Sequence, residues 1–384
     1  MKKIIKNINR VTSRLNHDFK FYHLFSLKEP SVNQFDFKKN LKDKISNNFI
    51  NRISSYAKYL QENEPIIKND DLWNMLGNEM NHQKFINFVS GCKNYKDKFI
   101  ETIYNFGKTN VLHGFAPNRG IYHGLVKKKT VREKEKIYFL DNLISLCEYY
   151  GITKVYNPEQ GGWMVEEADF NSFIKIIFQK KNISIFKTPN HYYGYKFNRD
   201  FLFYKDLKGL YAAEKISSAC KNHNLSEIVE IGGGIGYTCH YSRQLINNNY
   251  TIYDLSYASL LQAIFLMMSS GEKNVHLCNE KVHNKNKIFI KPYWKIFEHK
   301  TKKNILWFNE DSLPEIDLSL SKKYIKKITK IKKSFLLSVN QEARNSYGTE
   351  IKQHTVYDLL NNHKKIYRTR DFLRPGYIEE LIEI

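Results

Sequence analysis

The chain has 384 residues, with 61 Lys plus Arg against 39 Asp plus Glu, a formal balance of +22, and it is 42% hydrophobic and 14% aromatic. That composition excludes a disordered or fibrous chain, and no stretch approaches the ~18 uninterrupted apolar residues of a transmembrane helix. At roughly 100–200 residues per domain, the length allows two domains or one elaborated one. The first residues, MKKIIKNINRVTSRLNHDFKFYHLF, begin basic but are interrupted by Lys, Asn and Arg before a signal-peptide core can form. Cys92, Cys147, Cys220, Cys239 and Cys278 are scattered thiols, odd in number and without a C-x-x-C pair, as expected in a reducing compartment. A cytoplasmic protein without a membrane span is therefore predicted. The basic balance permits nucleic acid, an anionic membrane surface or an anionic sugar substrate as partners. Lysine is nevertheless spread through the whole chain, so a solvated lysine-rich surface is the simpler reading.

From Met1 to about Tyr150 the pattern is helical and connective. Apolar residues recur at three-and-four spacing in Phe49, Ile53, Tyr56, Tyr59 and Leu60, and again in Ile137, Phe139, Leu140, Leu143, Ile144 and Cys147. Between Val111 and Gly124 three Gly and one Pro predict a loop. Residues 151–206 form a linker subdomain, with a glycine pair at Gly161 and Gly162, a helix around Phe170 to Gln179 and a strand-like Ile183 to Phe186. From residue 207 to 384 strands alternate with helices, the rhythm of a mostly parallel sheet covered on both faces. A helix at Leu207 to Ala219 leads to the strand Ile228 to Ile231, a helix at Thr238 to Ile246, the strand Tyr250 to Tyr253 and a helix at Ala258 to Met268. Val275 to Leu277 and Ile288 to Ile290 compete for the third parallel strand. The second is preferred, because Trp294 to His299 can then serve as the crossover helix. Ile305 to Phe308 is the fourth strand, Ile316 to Ile331 a basic helix and Phe335 to Val339 the fifth strand. Lys365 to Thr369 and Tyr377 to Ile384 close the sheet as an antiparallel pair.

The most informative residues run V-E-I-G-G-G-I-G from Val229 to Gly236, an E-x-G-x-G-x-G pattern between an apolar strand and a helix. Glycine is required where the backbone turns sharply or lets a ligand approach, and the next helix offers free N–H groups. A dinucleotide fingerprint would place a third glycine where Tyr237 stands, so that spacing fails. Asp254 lies 18 residues past Gly236 in YTIYDLSY, and a carboxylate at the end of that second strand can accept both ribose hydroxyl protons. Strand, glycine loop, helix, strand and acid together point to a nucleoside-cofactor site.

This combination resembles the class I S-adenosylmethionine-dependent methyltransferases. The resemblance implies a Rossmann-like α/β domain with a terminal antiparallel strand. It puts Glu230 near the cofactor's methionine end and Asp254 on the ribose, with Gly232, Gly233, Gly234, Gly236, Leu255 and Asn309 completing the cofactor set. FLFYKDLKGLYAAEKI (Phe201 to Ile216), FNEDSLPEID (Phe308 to Asp317), SVNQEAR (Ser338 to Arg344) and RPGYIEEL (Arg374 to Leu381) narrow the likeness to the bacterial sugar O-methyltransferase family found with capsule and lipopolysaccharide genes. Lys205 stands where that family's lead-in helix would have Arg. The implied activity is methyl transfer to a sugar hydroxyl of a surface glycan or its nucleotide-activated precursor.

A sugar hydroxyl needs a positioned base for in-line transfer, and the segment after the fourth strand offers Asp311 and Glu315 as catalytic candidates. Capping of the next helix by Asp311 and Ser312 is the structural alternative. Asn340, Gln341 and Glu342 at the end of the fifth strand, with Tyr237, Arg374 and Tyr377, are candidate substrate contacts. His276, Cys278, Glu280 and His283 match no zinc spacing, whereas adjacent Glu310 and Asp311 would suit a divalent cation; no metal site is assigned. RNA methylation is the alternative substrate class, but Asn309-Glu310-Asp311-Ser312 replaces the D/N-P-P-aromatic motif of base amino-methylation, and no stable nucleic-acid partner is expected. A non-catalytic scaffold in glycan assembly is the third reading, and the intact glycine loop opposes it.

Overall fold

The computed structural model describes residues 31–32, 42, 45–65, 82–109, 129–151, 174–180, 182–186, 193–197, 200–202, 204–283, 287–331, 333–342, 353–374 and 376–384. The predicted loop at Val111 to Gly124, the glycine pair at Gly161 and Gly162, and Arg344 of the SVNQEAR segment lie outside them. The chain divides into two compact units, one of Met1–Asn33, Gly120–Ile185 and His191–Leu207, the other of Gln34–Arg119, Phe186–Asn190 and Lys208–Ile384. These are not the divisions expected at residues 150 and 206.

In the first unit β1 (Ser31–Val32) pairs antiparallel with β2 (Tyr193–Phe197), which pairs antiparallel with β3 (Asp200–Leu202). The expected helix around Phe170 to Gln179 is represented by a π-helical turn at Lys175–Lys180, and Ile183 to Phe186 joins no strand.

The second unit opens with helices α1 (Asn47–Asn63), α2 (His82–Ser90) and α3 (Lys96–Thr109); a further helix, α4 (Lys129–Tyr149), belongs to the first. Ser46 caps α1 by accepting the Phe49 N–H at 2.9 Å, and Phe49, Ile50, Ile53, Tyr56, Ala57 and Leu60 form its buried stripe. The long helix α5 (Tyr204–Asn222) leads to an eight-stranded sheet. Its strands and helices follow as β4 (Glu227–Ile231), α6 (Tyr237–Leu245), β5 (Asn249–Asp254), α7 (Ser256–Ser270), β6 (Val275–Leu277), β7 (Ile288–Pro292), β8 (Ile305–Glu310), α8 (Leu318–Ile328), β9 (Ser334–Gln341), α9 (Val356–Leu360), β10 (Lys365–Arg370) and β11 (Tyr377–Glu383).

The strand order is β10-β11-β9-β8-β4-β5-β7-β6. All neighbours from β9 to β6 pair parallel, while β11 runs antiparallel to both β9 and β10. This is a mostly parallel, Rossmann-like sheet with the expected closing antiparallel pair. Both competing segments become strands. Ile288–Pro292 takes the third position beside β5, and Val275–Leu277 extends the edge beyond it. The crossover at Tyr293–Glu298 is a 3-10 helix.

The central strands read as near-continuous apolar runs because helices cover both faces. On one face Val229, Ile231, Tyr253, Trp307, Leu336 and Ile382 pack against Ile296, Tyr324, Ile328 and Leu360. On α7 every residue from Ser256 to Met267 is buried, as befits a helix apolar all round, and both α1 and α2 pack against it. Arg52 of α1 holds Glu280 through two N–H···O bonds of 2.7 and 2.8 Å and the carbonyls of Glu272 and Val275 at 2.9 and 2.8 Å. That tie places α1 with the sheet rather than in a separate helical region.

Candidate active site

In a doubly wound sheet, ligands bind at the carboxyl ends of the strands where the order reverses. Here β4 lies between β5 and β8, so the crevice is bounded by the glycine loop after β4, Asp254 after β5 and the turn after β8. Gly232, Gly234 and Gly236 all take positive φ, of 75°, 57° and 97°. Two of them have different reasons to be glycine. A β-carbon on Gly232 would collide with Ser312 Oγ, a packing constraint, whereas one on Gly234 would meet nothing within 4 Å. Gly234 thus faces open space in the crevice, a cradle that a side chain would fill. Gly233 presses instead on the protein, its β-carbon position 2.7 Å from Ile252 and 2.9 Å from Glu230.

Asp254 fastens this loop. Its Oδ2 accepts the Gly234 N–H at 3.1 Å and the Gln262 amide at 2.7 Å, and its Oδ1 accepts the Leu255 N–H at 2.8 Å. A carboxylate has about four acceptor positions, and with a further backbone bond from Gly233 the protein itself takes up most of them, where the sequence suggested two for ribose hydroxyls. Gln262 also donates to the Gly234 carbonyl at 3.0 Å. Sequence reasoning missed it, although a lone amide in the apolar run of α7, two turns after the acid, was the available signal. Burial raises the Asp254 carboxyl to about 7 against the opposing hydrogen bonds from Leu255, Gln262 and the glycine loop.

Glu230 is 2% exposed and lies beneath the loop, accepting the Tyr250 hydroxyl at 3.0 Å. Burial raises it from 4.5 to about 8; the Tyr250 bond opposes the rise, and repulsion from Glu310 and Asp254 adds to it. Two carboxyls held that high are each relieved by a nearby positive charge.

The turn after β8 divides into an internal knot and an ion-paired rim. Asn309 is fully buried, donating to the Ile231 carbonyl at 2.7 Å and, over a short contact, to Ser312 Oγ. Its Oδ1 accepts Leu313 N–H at 3.2 Å and the Asn340 amide at 2.9 Å. Asn309 and Asn340, read from sequence as cofactor and substrate contacts, knit the ends of β4, β8 and β9 together. Tyr237, read as a substrate contact, is buried with its ring 4.7 Å from that of Phe186. Gln341 donates its amide to Gln353 at 2.7 Å, and exposed Glu342 pairs with Arg368 on the antiparallel edge.

On the rim, Arg374 spans the two adjacent acids, 2.9 Å to Glu310 Oε1 and 2.7 Å to Asp311 Oδ1. Its guanidinium stacks 3.4 Å from the centre of the Tyr377 ring. The cation that adjacent acids could hold as a metal is here an arginine. Burial, followed by the charge of Asp311, pushes the Tyr377 hydroxyl above its ordinary value. Asp311 has a left-handed φ of 65°, which asparagine tolerates as well. Neither Asp311 nor Ser312 caps the following helix. Asp317 does, accepting Ser319 and Leu320 N–H at 2.9 and 3.1 Å. Glu315 ends the turn Leu313–Glu315, partly exposed and close enough to Tyr377 to raise its hydroxyl.

Away from the crevice, His276 bonds the Glu280 carbonyl at 2.9 Å and Cys278 lies 3.8 Å from the Tyr59 hydroxyl. Among the described residues no three His, Cys, Asp or Glu come together as metal ligands, and no helix is long and apolar enough to cross a membrane.

No protein-family model matches the chain, and no curated protein does. Among solved structures it is similar to the mitomycin 7-O-methyltransferase MmcR, at 14% identity and a TM-score of 0.34, over 46% of this chain and 55% of that one. It is also similar to an O-methyltransferase family protein from Burkholderia thailandensis, at 11% identity and a TM-score of 0.32, over 47% of this chain and 59% of that one. A third is magnesium protoporphyrin IX methyltransferase from Synechocystis PCC 6803 with bound SAM, at 11% identity and a TM-score of 0.32, over 58% and 98%. The match thus spans little more than half the length of the first two proteins.

Proposed function

We propose that this protein is a cytoplasmic S-adenosylmethionine-dependent O-methyltransferase acting on a sugar hydroxyl of a surface glycan or its nucleotide-activated precursor. The observation that carries the cofactor reading is Gly234: it is left-handed, open on its β-carbon side, and bonded through its N–H to Asp254. A nucleoside can approach the backbone there while Asp254 Oδ1 takes a ribose hydroxyl. Glu230 and Asp254, raised by burial, favour a cationic ligand over a neutral or anionic one. The cofactor, when bound, supplies an electrophilic methyl on a sulfonium. The sugar assignment rests on the likeness carried by FNEDSLPEID, SVNQEAR and RPGYIEEL.

The chain's own part in the reaction is to bind and orient the acceptor and to take its proton. Arg374 engages Asp311, and a carboxylate held by a guanidinium yields part of its affinity for protons. Glu315, in the same turn, is the first candidate for the base, with Asp311 fixing the rim. Converting the base to its amide keeps shape but removes the proton acceptor, lowering kcat by about 10²–10⁴.

The test has two stages. Calorimetry measures S-adenosylmethionine binding, and a mass-spectrometric screen of nucleotide sugars and glycans seeks a product heavier by one CH₂. Glu315→Gln and Asp311→Asn are then compared for rate and cofactor affinity. Methylation of RNA in place of any sugar would overturn the substrate, and absence of cofactor binding would favour the scaffold reading.

A further inference from the structure

One lysine-rich face lies outside the part of the molecule that the methyltransferase reading uses. Helix α8 buries Ser321, Tyr324, Ile325 and Ile328 against the sheet and turns Leu318, Ser319, Lys322, Lys323 and Lys326 outward, with Lys330 exposed just past its end. The 3-10 helix before β8 lies alongside it. Its Phe297 ring sits 5.6 Å from that of Tyr324, and its carbonyl accepts Lys327 Nζ at 2.9 Å. The turn that follows exposes Lys300, Lys302 and Lys303.

The nearby acids are already engaged. Glu298 pairs with Lys295 at 2.7 Å, Glu227 accepts Thr301 at 2.6 Å, and Asp317 caps α8. Among the described residues the outward lysines of α8 and of the turn make no ion pair. Set among them are two of the few exposed large apolar side chains, Phe297 at 41% and Leu318 at 42% exposure.

We propose that this face is a docking surface for an anionic lipid bilayer. Three features favour a bilayer over nucleic acid. The charges are all lysine, with none of the arginine forks that suit phosphate and base recognition. The face is the convex side of a helix, whereas single-stranded nucleic acid is tracked by a charged groove lined with stacking aromatics. Exposed Phe297 and Leu318 gain by entering the boundary between headgroups and acyl chains, as on interfacial amphipathic helices. Helix α8 begins three residues after Glu315, so docking along it sets the crevice near the headgroup layer, within reach of a lipid-linked acceptor. Docking itself does not depend on the methyltransferase reading.

The full-length protein is sedimented with vesicles of phosphatidylcholine alone and with about 30% phosphatidylserine. A fluorescent single-stranded oligonucleotide is titrated in parallel. The expected result is binding to the anionic vesicles only, weakening steeply with salt. Each lysine near the surface contributes about fivefold, so the triple variant Lys322→Gln, Lys323→Gln, Lys326→Gln lowers partitioning by about 100-fold. Its melting temperature and S-adenosylmethionine affinity stay unchanged. Phe297→Ser weakens vesicle binding without altering the salt dependence. A second triple variant, Lys300→Gln, Lys302→Gln, Lys303→Gln, checks the turn independently of α8. Binding that is equal for wild type and both triple variants, no vesicle binding, or binding to the oligonucleotide but not to vesicles would each overturn the proposal.

Discussion

Replacing Glu230 by Gln should make the protein more stable at high pH and leave it nearly unchanged at low pH. The side chain is 2% exposed and accepts the Tyr250 hydroxyl at 3.0 Å, a bond the amide oxygen of Gln can also accept. Burial holds the folded carboxyl at about 8 against an ordinary 4.5. A raised carboxyl gives stability that is fully present below the unfolded value and lost as pH rises through the folded one, because the native state binds the extra proton in between. Between pH 5 and pH 8 the wild type therefore loses roughly 3 kcal/mol that the Gln variant keeps, at about 1.4 kcal/mol per pH unit over most of that range. Other acids titrate in both proteins and cancel in the difference. Urea unfolding of both without cofactor at pH 5, 6.5 and 8 measures it. Stability curves that stay parallel across that range would refute the buried, proton-binding Glu230.

The cofactor should relieve the same carboxyls. Its affinity is expected to rise from pH 6 to pH 8.5 with proton release on binding, read by calorimetry in buffers of different ionisation enthalpy, and Asp254→Ala should weaken binding by roughly 1.5–3 kcal/mol. Gly234→Ala should cost about 1–2 kcal/mol of stability for its left-handed backbone yet markedly reduce cofactor binding, whereas Gly232→Ala, whose β-carbon would collide with Ser312, should lose much more stability by thermal melting. Arg374→Ala leaves Glu310 and Asp311 without their shared cation and should cost about 3–5 kcal/mol; Arg374→Lys should restore part of that, because a lysine cannot span both acids as the fork does.

The alternation of strands and helices after residue 207 was legible because buried parallel strands are short apolar runs bounded by turns, as at Ile228–Ile231 and Ile305–Phe308. The small sheet of β1, β2 and β3 was not, since strands of two to five residues leave no periodicity to read. Periodicity placed the stripe of α1 correctly but could not say what covers it. The answer, helix α7, is far away in sequence, and Arg52 fastens α1 there by holding Glu280, 228 positions on. Likewise, Val275 to Leu277 and Ile288 to Ile290 are indistinguishable as local patterns. Only pairing with β5 decides which stands third, and the loser finds a place at the edge.

At the crevice, the glycine spacing and Asp254 were legible because backbone geometry leaves few residues able to stand there. The segment Asn309-Glu310-Asp311-Ser312 was harder, since four polar residues after a strand look equally available. In the fold their fates separate by direction. Asn309 is still within β8 and turns inward to Ile231 and Asn340, while Glu310 and Asp311 reach the rim. Adjacent acids invite a cation, and a local reading supplies a metal because no basic residue lies nearby in sequence. The actual counter-charge, Arg374, comes from 63 and 64 residues downstream, brought there by the loop that leads into the reversed strand β11. The antiparallel closure of the sheet thus does more than finish its edge: it carries a fixed positive charge to the acids after β8. Asp311 is thereby held in place by a guanidinium, and in the proposed reaction the base falls to Glu315 of the same turn.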